Sequence, residues 1–297
     1  MTALAIAAMP GDEAAAARVA ALLGVRSASV AVHRFPDGES LVRVAEAAAT
    51  TLLYCTLDRP DPKLMPLLLA ASALRDDGAQ RLVLVAPYLP YMRQDTAFRP
   101  GEAVSQRVIG RLLGARFDRI VTVDPHLHRT PRLDLVFAGT EATALSAAPV
   151  LAAMIAAGGA GDAVLVGPDA ESAQWVGTVA ARLGMPAVTA TKRRAGDRRV
   201  AVTLPDGAPV RGRPAILVDD VVSSGGTLAA CARALVAAGA ARVEAVAVHA
   251  LCGDADLAAL TAAGIARLRS TDSVAHPTNA GSLAPLLADA LRQEVRP

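Results

Sequence analysis

The residue types best suited to binding chemistry lie in the second half of the chain, where two adjacent carboxylates precede a run of small residues. Asp219 and Asp220 follow the apolar run 215–218, and a helix-like spacing of apolar residues begins at Leu228. The small residues of the run are Ser223, Ser224, Gly225, Gly226 and Thr227. This pattern predicts a strand, a tight loop and a helix, with the acids at the end of the strand.

Such a loop would present consecutive backbone N–H groups at a helix N-terminus, where the partial positive charge favours phosphate. Asp219 and Asp220 could then meet hydroxyl groups or a hydrated Mg²⁺, which prefers oxygen ligands. An acidic pair beside an anion cradle suits a ribose phosphate. The plainer alternative is an ordinary strand-to-helix connection. No Gly-Lys-Ser/Thr sequence follows the glycines, so the segment is not a Walker A loop.

In the first half of the chain, candidate binding residues lie on a predicted turn and after a predicted strand. Residues 36–38, Pro-Asp-Gly, indicate a turn, with Asp37 and Glu39 beside the aromatic Phe35. Phe35 could stack on a base, or it could simply anchor the turn. The buried strand predicted at 81–86 leads to Arg93, Gln94 and Asp95. Arg93 could pair with a phosphate and Gln94 could address a base edge, unless this segment is only a solvated loop.

A second strand of the first half, which starts at Arg119, is followed by Asp124, His126 and His128. The two histidines are two positions apart, so they would share one face of an extended segment. A neutral imidazole near Asp124 could ligate Mg²⁺ or contact a phosphate. A structural role is the alternative, and no third ligand completes a zinc site here.

The second half repeats the arrangement of a strand followed by a charged residue. Asp169 follows the strand predicted at 163–167 and the adjoining Pro168. Five cations then occur within eight residues, namely Lys192, Arg193, Arg194, Arg198 and Arg199. This basic run predicts a mobile flap that could close over an anionic substrate, although a solvated charge run is the usual explanation of such a pattern.

Strand-like and helix-like segments alternate along both halves, which predicts two similar, doubly wound α/β domains with mainly parallel sheets. The loosely patterned stretch 137–148 is the expected boundary, giving domains at 1–145 and 146–297. A final helix at 283–293 is a candidate to pack back on the first domain.

Length and composition narrow the class of protein. The 297 residues suit two domains, and 53% hydrophobic residues with only 3% aromatics indicate a core of Ala, Val and Leu. A net charge of +2 without a long basic run argues against nucleic-acid binding. Three cysteines without CxxC spacing favour a reduced cytoplasm. The first apolar run is too short for a membrane span and lacks a basic leader, so we expect no membrane partner.

In this order and at similar spacing, the motifs resemble those of the ribose-phosphate diphosphokinases, the synthetases of phosphoribosyl diphosphate (PRPP). Residues 34–39 are similar to the family's Arg-Phe-x-Asp-Gly-Glu turn, and 91–95 to its Tyr-x-Arg-Gln-Asp loop. Residues 123–126 resemble Val-Asp-x-His, 167–170 resemble Ser/Gly-Pro-Asp-Ala, and 192–194 resemble Lys-x-Arg. The segment 219–227 resembles the PRPP loop. The resemblance covers nearly the whole chain and implies a phosphoribosyltransferase-like fold.

The resemblance implies a cytoplasmic enzyme of nucleotide biosynthesis that transfers the terminal diphosphate of Mg-ATP to the anomeric hydroxyl of ribose 5-phosphate, giving PRPP and AMP. It implies that ATP is bound by Phe35, Asp37, Glu39, Arg93, Gln94, Asp95 and His126. The first three would come from a neighbouring subunit of a homo-oligomer, either a dimer or a hexamer. It implies that ribose 5-phosphate is bound by Asp169, Asp219, Asp220, Ser223, Ser224, Gly225, Gly226 and Thr227. Mg²⁺ would be held by His126 and Asp169, and Lys192 and Arg194 would be catalytic cations.

Two departures from the family pattern keep other functions open. Ser223 stands where many members have a third aspartate, and Ala195, Gly196 and Asp197 interrupt the basic run. One alternative is a phosphoribosyltransferase, which would share only the loop at 219–227 and would consume PRPP together with a base. Another is a weakly active paralogue that acts as a regulatory subunit.

Overall fold

A computed structural model of the chain describes residues 3–159, 161–195 and 199–295, and the side chains of 192–201 lie outside this description. The chain divides into two compact units. The first consists of Met1–Ser146 together with Leu283–Pro297, and the second of Ala147–Ser282. That the first domain binds ATP and the second ribose 5-phosphate stays a prediction.

The first unit is built on a six-stranded parallel sheet with the order β2-β1-β5-β6-β7-β8. The strands of the unit are β1 Leu4–Ala8, β2 Arg26–Ser29, β3 Ala31–Arg34, β4 Ser40–Arg43, β5 Thr50–Tyr54, β6 Arg81–Ala86, β7 Arg119–Val123 and β8 Glu141–Leu145. Of these, β3 and β4 form a separate antiparallel pair. The helices of the unit are α1 Glu13–Leu23, α2 Asp61–Asp76, α3 Ser105–Gly114 and, near the end of the chain, α8 Ala284–Leu291.

The central strands of this sheet are apolar because helices cover both faces of a parallel sheet. Every residue of β7 is buried, and so is all of β6 after Arg81. The core beneath the helices is made mainly of leucine, alanine and valine, with Phe117 and Phe137 among the buried side chains. The scarcity of aromatic residues therefore leaves the packing to aliphatic side chains.

The strands β3 and β4 pair with each other and not with the main sheet. Their register pairs Arg34 with Ser40, so the turn at 35–39 lies at the tip of a hairpin. The Arg34 side chain donates a hydrogen bond to the Pro62 carbonyl of α2 at 2.6 Å, which ties the hairpin to that helix.

The end of the chain packs on the first unit through an ion-pair cluster. Glu294, which follows α8, accepts from Arg81 Nε at 2.7 Å and from Arg119 Nη1 at 2.9 Å. The side chains of Glu294 and Arg119 are each only 5% exposed. The helix α8 also packs against α1. A segment that is distant in sequence thus completes the unit in which the chain begins.

The second unit has its own six-stranded parallel sheet, with the order β10-β9-β13-β14-β15-β16. The strands of the unit are β9 Val164–Gly167, β10 Ala187–Thr189, β11 Thr191–Ala195, β12 Arg199–Thr203, β13 Pro214–Val222, β14 Arg242–Ala250, β15 Ile265–Thr271 and β16 Asn279–Gly281. Of these, β11 and β12 form a separate antiparallel pair. The helices of the unit are α4 Ala148–Ala157, α5 Ala173–Leu183, α6 Gly226–Ala237 and α7 Asp254–Ala262.

Two parallel sheets, each flanked by helices, confirm the predicted fold class. The stretch 137–148, where the domain boundary is expected, contains the edge strand β8, which is partly exposed and lacks the apolar run of a central strand. The strand β13 also continues to Val222, so Asp219 and Asp220 lie within it and not after its end. Among the described helices, none is long and apolar enough to cross a membrane.

Candidate active site

Asp219 and Asp220 occupy adjacent positions near the end of β13, and their side chains interact with each other. Asp219 is partly buried and its Oδ1 accepts a hydrogen bond from the Asp220 backbone N–H at 3.1 Å. Asp220 is buried, and its Oδ1 accepts from the Val221 N–H at 2.8 Å. Both carboxylates are therefore held in fixed orientations by the backbone of their own strand.

The loop after β13 ends in a tight turn at the start of α6. Gly225 has a positive φ of 68° and forms the N-cap of the helix. Ser223, Ser224 and Gly226 are exposed, and Thr227 is partly buried. The first intrahelical bond joins the Ala229 N–H to the Gly225 carbonyl at 2.8 Å. The N–H groups of the preceding turn have no carbonyl partner within the helix and carry its positive dipole end, which is what an anion requires.

Asp169 lies in the same unit, at the start of a 3-10 turn after β9. Its Oδ1 accepts from the N–H groups of Glu171 at 3.2 Å and Ser172 at 3.3 Å. Burial raises the pKa of Asp219 well above its usual range, and the negative charges of Asp220 and Asp169 raise it further. Burial raises the pKa of Cys231 in α6 to about 12, and the charges of Asp219 and Asp169 contribute to the rise. The second unit therefore contains a concentration of negative charge beside an anion-binding helix terminus.

This donor set can be tested for its fit to Mg²⁺. Repulsion between three carboxylates is relieved by a divalent cation, and carboxylate oxygens are the ligands that Mg²⁺ prefers. Asp169, predicted as a metal ligand, belongs to this group and fits the ion. His126 offers an imidazole nitrogen, which suits transition metals better than it suits Mg²⁺. Its predicted part in metal binding rests on the sequence motif alone.

In the first unit, the predicted adenine-binding residues lie at the tip of the β3–β4 hairpin. The Phe35 N–H donates to the Glu39 carbonyl at 2.9 Å, and the Gly38 N–H donates to the Phe35 carbonyl at 2.9 Å. Gly38 has a φ of 93°, and Asp37 Oδ1 accepts from the Glu39 N–H at 3.1 Å. Phe35, Asp37 and Glu39 are all exposed. The turn thus presents an aromatic ring beside two carboxylates.

The loop after β6 gives its three predicted residues different environments. Arg93 is exposed. Gln94 uses its Oε1 to accept from Ser105 Oγ at 2.6 Å, at the start of α3. Asp95 accepts from both the backbone N–H and the Nη1 of Arg129, each at 2.8 Å. Burial raises the pKa of Asp95, but the hydrogen bonds and charge of Arg129 outweigh burial and hold it below its usual value.

His126 and His128 lie together in the loop after β7, as the spacing predicts. Their Nε2 atoms are 2.9 Å apart, and the rings meet edge to face with centroids 4.3 Å apart. Just before them, Asp124 is a buried residue with a φ of 35°. Such a backbone conformation costs about 1–3 kcal/mol in a residue other than glycine.

Strained backbone in the first unit is concentrated at this same edge of the sheet. Among the described residues other than glycine, only Arg59, Tyr91 and Asp124 have a positive φ, with values of 50°, 63° and 35°. They follow β5, β6 and β7 respectively, at the carboxyl ends where open α/β sheets bind ligands. Strain of this kind often accompanies function, and two of these three loops, those after β6 and β7, contain residues that the sequence predicted as binding residues.

The predicted catalytic residues Lys192 and Arg194 lie in β11, paired in register with Val202 and Val200 of β12. Their side chains are among those outside the description. Residues 196–198, which connect the two strands and include part of the predicted flap, also lie outside the described residues. The cations of the basic run at 192–194 and 199 therefore lie on two antiparallel strands, while the catalytic role stays a prediction.

Sequence reasoning missed three residues that hold the first unit's loops. Arg129 binds Asp95, Gln106 is a buried polar residue of α3, and Thr130 donates to Gln106 Oε1 at 2.8 Å. Arg129 and Thr130 directly follow the histidine pair, so their position was a signal that went unused. No local pattern marks Gln106, because its partners come from other loops.

Two halves of the chain match protein-family models. Residues 4–116 match the one described as the N-terminal domain of ribose phosphate pyrophosphokinase. Residues 145–257 match the one described as the phosphoribosyl transferase domain. Together these matches span the loops described above, except for the histidine loop after β7.

Curated proteins and a solved structure are similar over nearly the full length. The chain is 35% identical to a ribose-phosphate pyrophosphokinase of Methanopyrus kandleri, over 92% of this chain and 94% of that protein. It is 34% identical to one of Methanosarcina acetivorans, over 96% of this chain and 98% of that protein. The crystal structure of phosphoribosylpyrophosphate synthetase from Mycobacterium smegmatis superposes with a TM-score of 0.82 at 29% identity, covering 97% of each chain.

Proposed function

The chain belongs to the ribose-phosphate pyrophosphokinase family, and from this membership we propose how its own residues bind the substrates and promote the reaction. It is an enzyme of the diphosphotransferase class. The substrates we assign to it are ATP and ribose 5-phosphate, and the products are AMP and PRPP. The observation that carries this assignment is the acidic pair of β13 beside the glycine N-cap of α6.

In the second unit, we assign the ribose hydroxyls to Asp219 and Asp220 and the 5-phosphate to the loop 223–227. The carboxylates can only accept hydrogen bonds when ionised, so they suit hydroxyl donors. The loop offers backbone N–H groups and three hydroxyl side chains, all of which can donate to phosphate oxygens. Ser223 supplies a hydrogen-bond donor at the position where many members of the family have an aspartate. Asp169 lies close enough to add its charge to the group.

In the first unit, we assign the nucleotide to Phe35, Asp37, Glu39, Arg93, Gln94 and His126, while the predicted Asp95 pairs with Arg129 beside them. The exposed Phe35 ring can stack on adenine, and the carboxylates beside it can accept from ribose hydroxyls. The Arg93 guanidinium suits phosphate oxygens. Gln94 keeps its amide nitrogen for a base or sugar, because only its oxygen is used by Ser105. We propose that the hairpin tip serves the site of a neighbouring subunit in a dimer or hexamer.

Catalysis then depends on alignment and charge. The O1 atom of ribose 5-phosphate forms a bond to the β-phosphorus of ATP, the bond between that phosphorus and the α–β bridging oxygen breaks, and AMP leaves. Such transfers need an in-line arrangement and neutralised phosphate oxygens more than covalent help. Lys192 and Arg194 would supply positive charge at the phosphate oxygens, where negative charge develops during the transfer. Asp169 would hold Mg²⁺, which would supply further charge neutralisation when bound, and the part predicted for His126 in metal binding rests on its sequence motif.

Two further properties follow from the family and the described residues. The three cysteines are free and buried, which suits a reducing compartment such as the cytoplasm. A site shared between subunits predicts that the oligomer is needed for activity. When the protein is diluted below the dissociation constant of the oligomer, light scattering should show that the oligomer dissociates. The enzymatic activity should be lost over the same range of concentration.

The test of the function is an assay of both products. Purified protein with Mg²⁺, ATP and ribose 5-phosphate should release AMP and PRPP in equal amounts, and Lys192→Ala should reduce both. A phosphoribosyltransferase would instead consume PRPP with a base in the absence of ATP. A regulatory paralogue would bind ATP without turnover. Release of no AMP above the Lys192→Ala background would reject the proposal.

A further inference from the structure

Two loops of the first unit, one after β6 and one after β7, are joined by an ion pair between Asp95 and Arg129. The Asp95 carboxylate accepts from the Arg129 backbone N–H through Oδ2 and from Arg129 Nη1 through Oδ1, both at 2.8 Å. The Asp95 side chain is 1% exposed, so it is hidden from solvent and from any ligand. The carboxylate is thus committed to Arg129 on both of its oxygens.

A second tie joins the same two loops through α3. Gln106, a residue of the first turn of that helix, is 5% exposed. Its Nε2 donates to the Met92 carbonyl at 3.3 Å, in the loop after β6. Its Oε1 accepts from Thr130 Oγ1 at 2.8 Å, in the loop after β7. One buried amide therefore uses its two ends on the two loops, and a buried amide left without these partners would be costly.

These ties hold the loops next to the residues that we assign to the nucleotide. Met92 and Asp95 flank Arg93 and Gln94, while Arg129 and Thr130 closely follow His126. Each loop also contains a strained residue, Tyr91 or Asp124. Such conformations persist only where the surrounding contacts determine them, so the ties are placed to maintain both loops in one arrangement.

We propose that Arg129 and Gln106 are positioning residues of the nucleotide site, and that Asp95 serves the nucleotide through Arg129 and not by touching it. This inference rests on the proposed function for the identity of the ligand, although the ties themselves do not. It predicts that loosening them weakens ATP binding by spoiling the mutual placement of Arg93, Gln94 and His126. Displacements of about 1 Å in a positioned group can cost up to about a hundredfold in rate.

A purely stabilising role is the alternative, and the exposure of Arg129 weighs against it. Its side chain is 63% exposed and lies over the Phe98 ring at 5.8 Å. Ion pairs with an exposed partner contribute little to the free energy of unfolding. The Arg129 backbone N–H bond to Asp95 also survives any substitution of the side chain. We therefore expect Arg129 variants to fold normally, while the loss of the side-chain tie loosens the placement of the two loops relative to each other.

The experiment compares Arg129→Gln with Arg129→Lys and with Arg132→Gln as a matched control. Arg132 is an exposed arginine of the same loop that pairs with Asp134 only by a local contact. Arg129→Gln should raise the KM for ATP about tenfold, with the KM for ribose 5-phosphate and the melting temperature unchanged. Arg129→Lys keeps a charge that can reach Asp95 and should recover part of the loss. Arg132→Gln should match the wild type.

A double variant tests whether Asp95 acts through Arg129. Asp95→Asn combined with Arg129→Gln should cost no more in kcat/KM for ATP than the worse single variant, because both changes remove one interaction. Additive losses would show that Asp95 has a role of its own at the nucleotide and would overturn this part of the proposal.

A measurement that needs no turnover separates this inference from the proposed function. Hydrogen exchange without ligand should show faster exchange of amides 92–95 and 126–130 in both Arg129→Gln and Gln106→Leu than in the wild type. If the wild type makes no AMP but exchange accelerates in both loops, the function fails and the positioning role stands. If the wild type is active while the exchange and the KM for ATP are unchanged in Arg129→Gln, the positioning role is wrong. Equal changes in both KM values and in the melting temperature would likewise reject it.

Discussion

A Cβ atom added to Gly225 would lie 2.8 Å from Cδ2 of Leu260, closer than real Cβ contacts allow. Gly225 also has a φ of 68°, which side-chain-bearing residues adopt only with strain. Two independent constraints thus require glycine at the N-cap of α6. The glycine that follows, Gly226, has neither constraint, since the nearest atom to its added Cβ is Ser224 Oγ at 3.9 Å.

The first prediction uses this contrast between adjacent glycines. Gly225→Ala should lower the free energy of unfolding by about 1–3 kcal/mol, because strain at φ and the contact with Leu260 must both be relieved. It should also raise the KM for ribose 5-phosphate, because the loop must shift. Gly226→Ala should leave the free energy of unfolding nearly unchanged. Chemical denaturation of both variants measures the difference, and equal effects would contradict the role of Gly225.

The second prediction concerns the charge of Asp219. Because burial and the charges of Asp220 and Asp169 raise its pKa, the ionised form costs stability in the folded protein. Asp219→Asn should therefore raise the melting temperature in buffer containing EDTA, while it lowers kcat/KM for ribose 5-phosphate about tenfold to a hundredfold. Thermal denaturation and the product assay measure the two effects.

The control for Asp219→Asn is Asp206→Asn, at an exposed aspartate of the same unit. It should change neither quantity. Added Mg²⁺ should stabilise the wild type more than Asp219→Asn, since an ion that binds the folded state stabilises it by mass action. A variant that loses stability and activity together would indicate that Asp219 is a structural residue.

The third prediction follows from Asp12, whose carboxylate accepts from the Thr56 N–H at 2.8 Å in a buried position. Burial raises the pKa of Asp12 from 3.8 to about 6. The folded protein thus retains a proton that the unfolded chain releases, so ionisation of Asp12 lowers stability as the pH rises from about 4 to about 6. The cost reaches about 3 kcal/mol at the upper end.

Asp12→Asn removes this titration. The free energy of unfolding of the variant minus that of the wild type should therefore increase by about 3 kcal/mol between pH 4 and pH 6 and stay constant above about pH 7. Chemical denaturation at several pH values measures the difference. A difference that does not vary with pH would show that Asp12 has an ordinary pKa.

The fourth prediction tests the ion-pair cluster at the end of the chain. Glu294→Gln leaves the buried Arg119 with only the more distant carboxylate of Glu141, 4.0 Å away, as counter-charge, which should cost about 3 kcal/mol of unfolding free energy. Glu141→Gln also removes a partner of Arg81, but Glu141 is 58% exposed and its loss should cost less than about 1 kcal/mol. If both variants lose the same amount, burial of the cluster does not matter to stability.

The parts of the fold and site that the sequence predicted are those with local signals. The acids of β13 and the glycines of α6 lie within about nine residues, so their composition alone indicated a strand, an anion-binding loop and a helix. The central strands were predicted because they are continuous apolar runs. The edge strand β8 lacked that signal, and the continuation of β13 past Val218 was masked by the two charged residues within it.

The residues that escaped prediction act over long distances in the chain. Arg129 and its partner Asp95 are 34 positions apart, and Arg119 and Glu294 are 175 apart. An arginine or glutamine on a polar segment looks like a solvated side chain until the fold brings its partner close. Pairings of this kind are set by the packing of whole elements, which a single sequence does not reveal.

The most direct test of the assigned reaction follows the β-phosphorus of ATP. Protein, Mg²⁺, ribose 5-phosphate and ATP labelled at the β-phosphate should be incubated together, and the products separated. Transfer of an intact diphosphate predicts that the label appears in PRPP, that the AMP is unlabelled, and that no label accumulates in ADP or free diphosphate. Label that stays in ATP, or that appears in ADP as the nucleotide product, would contradict the account.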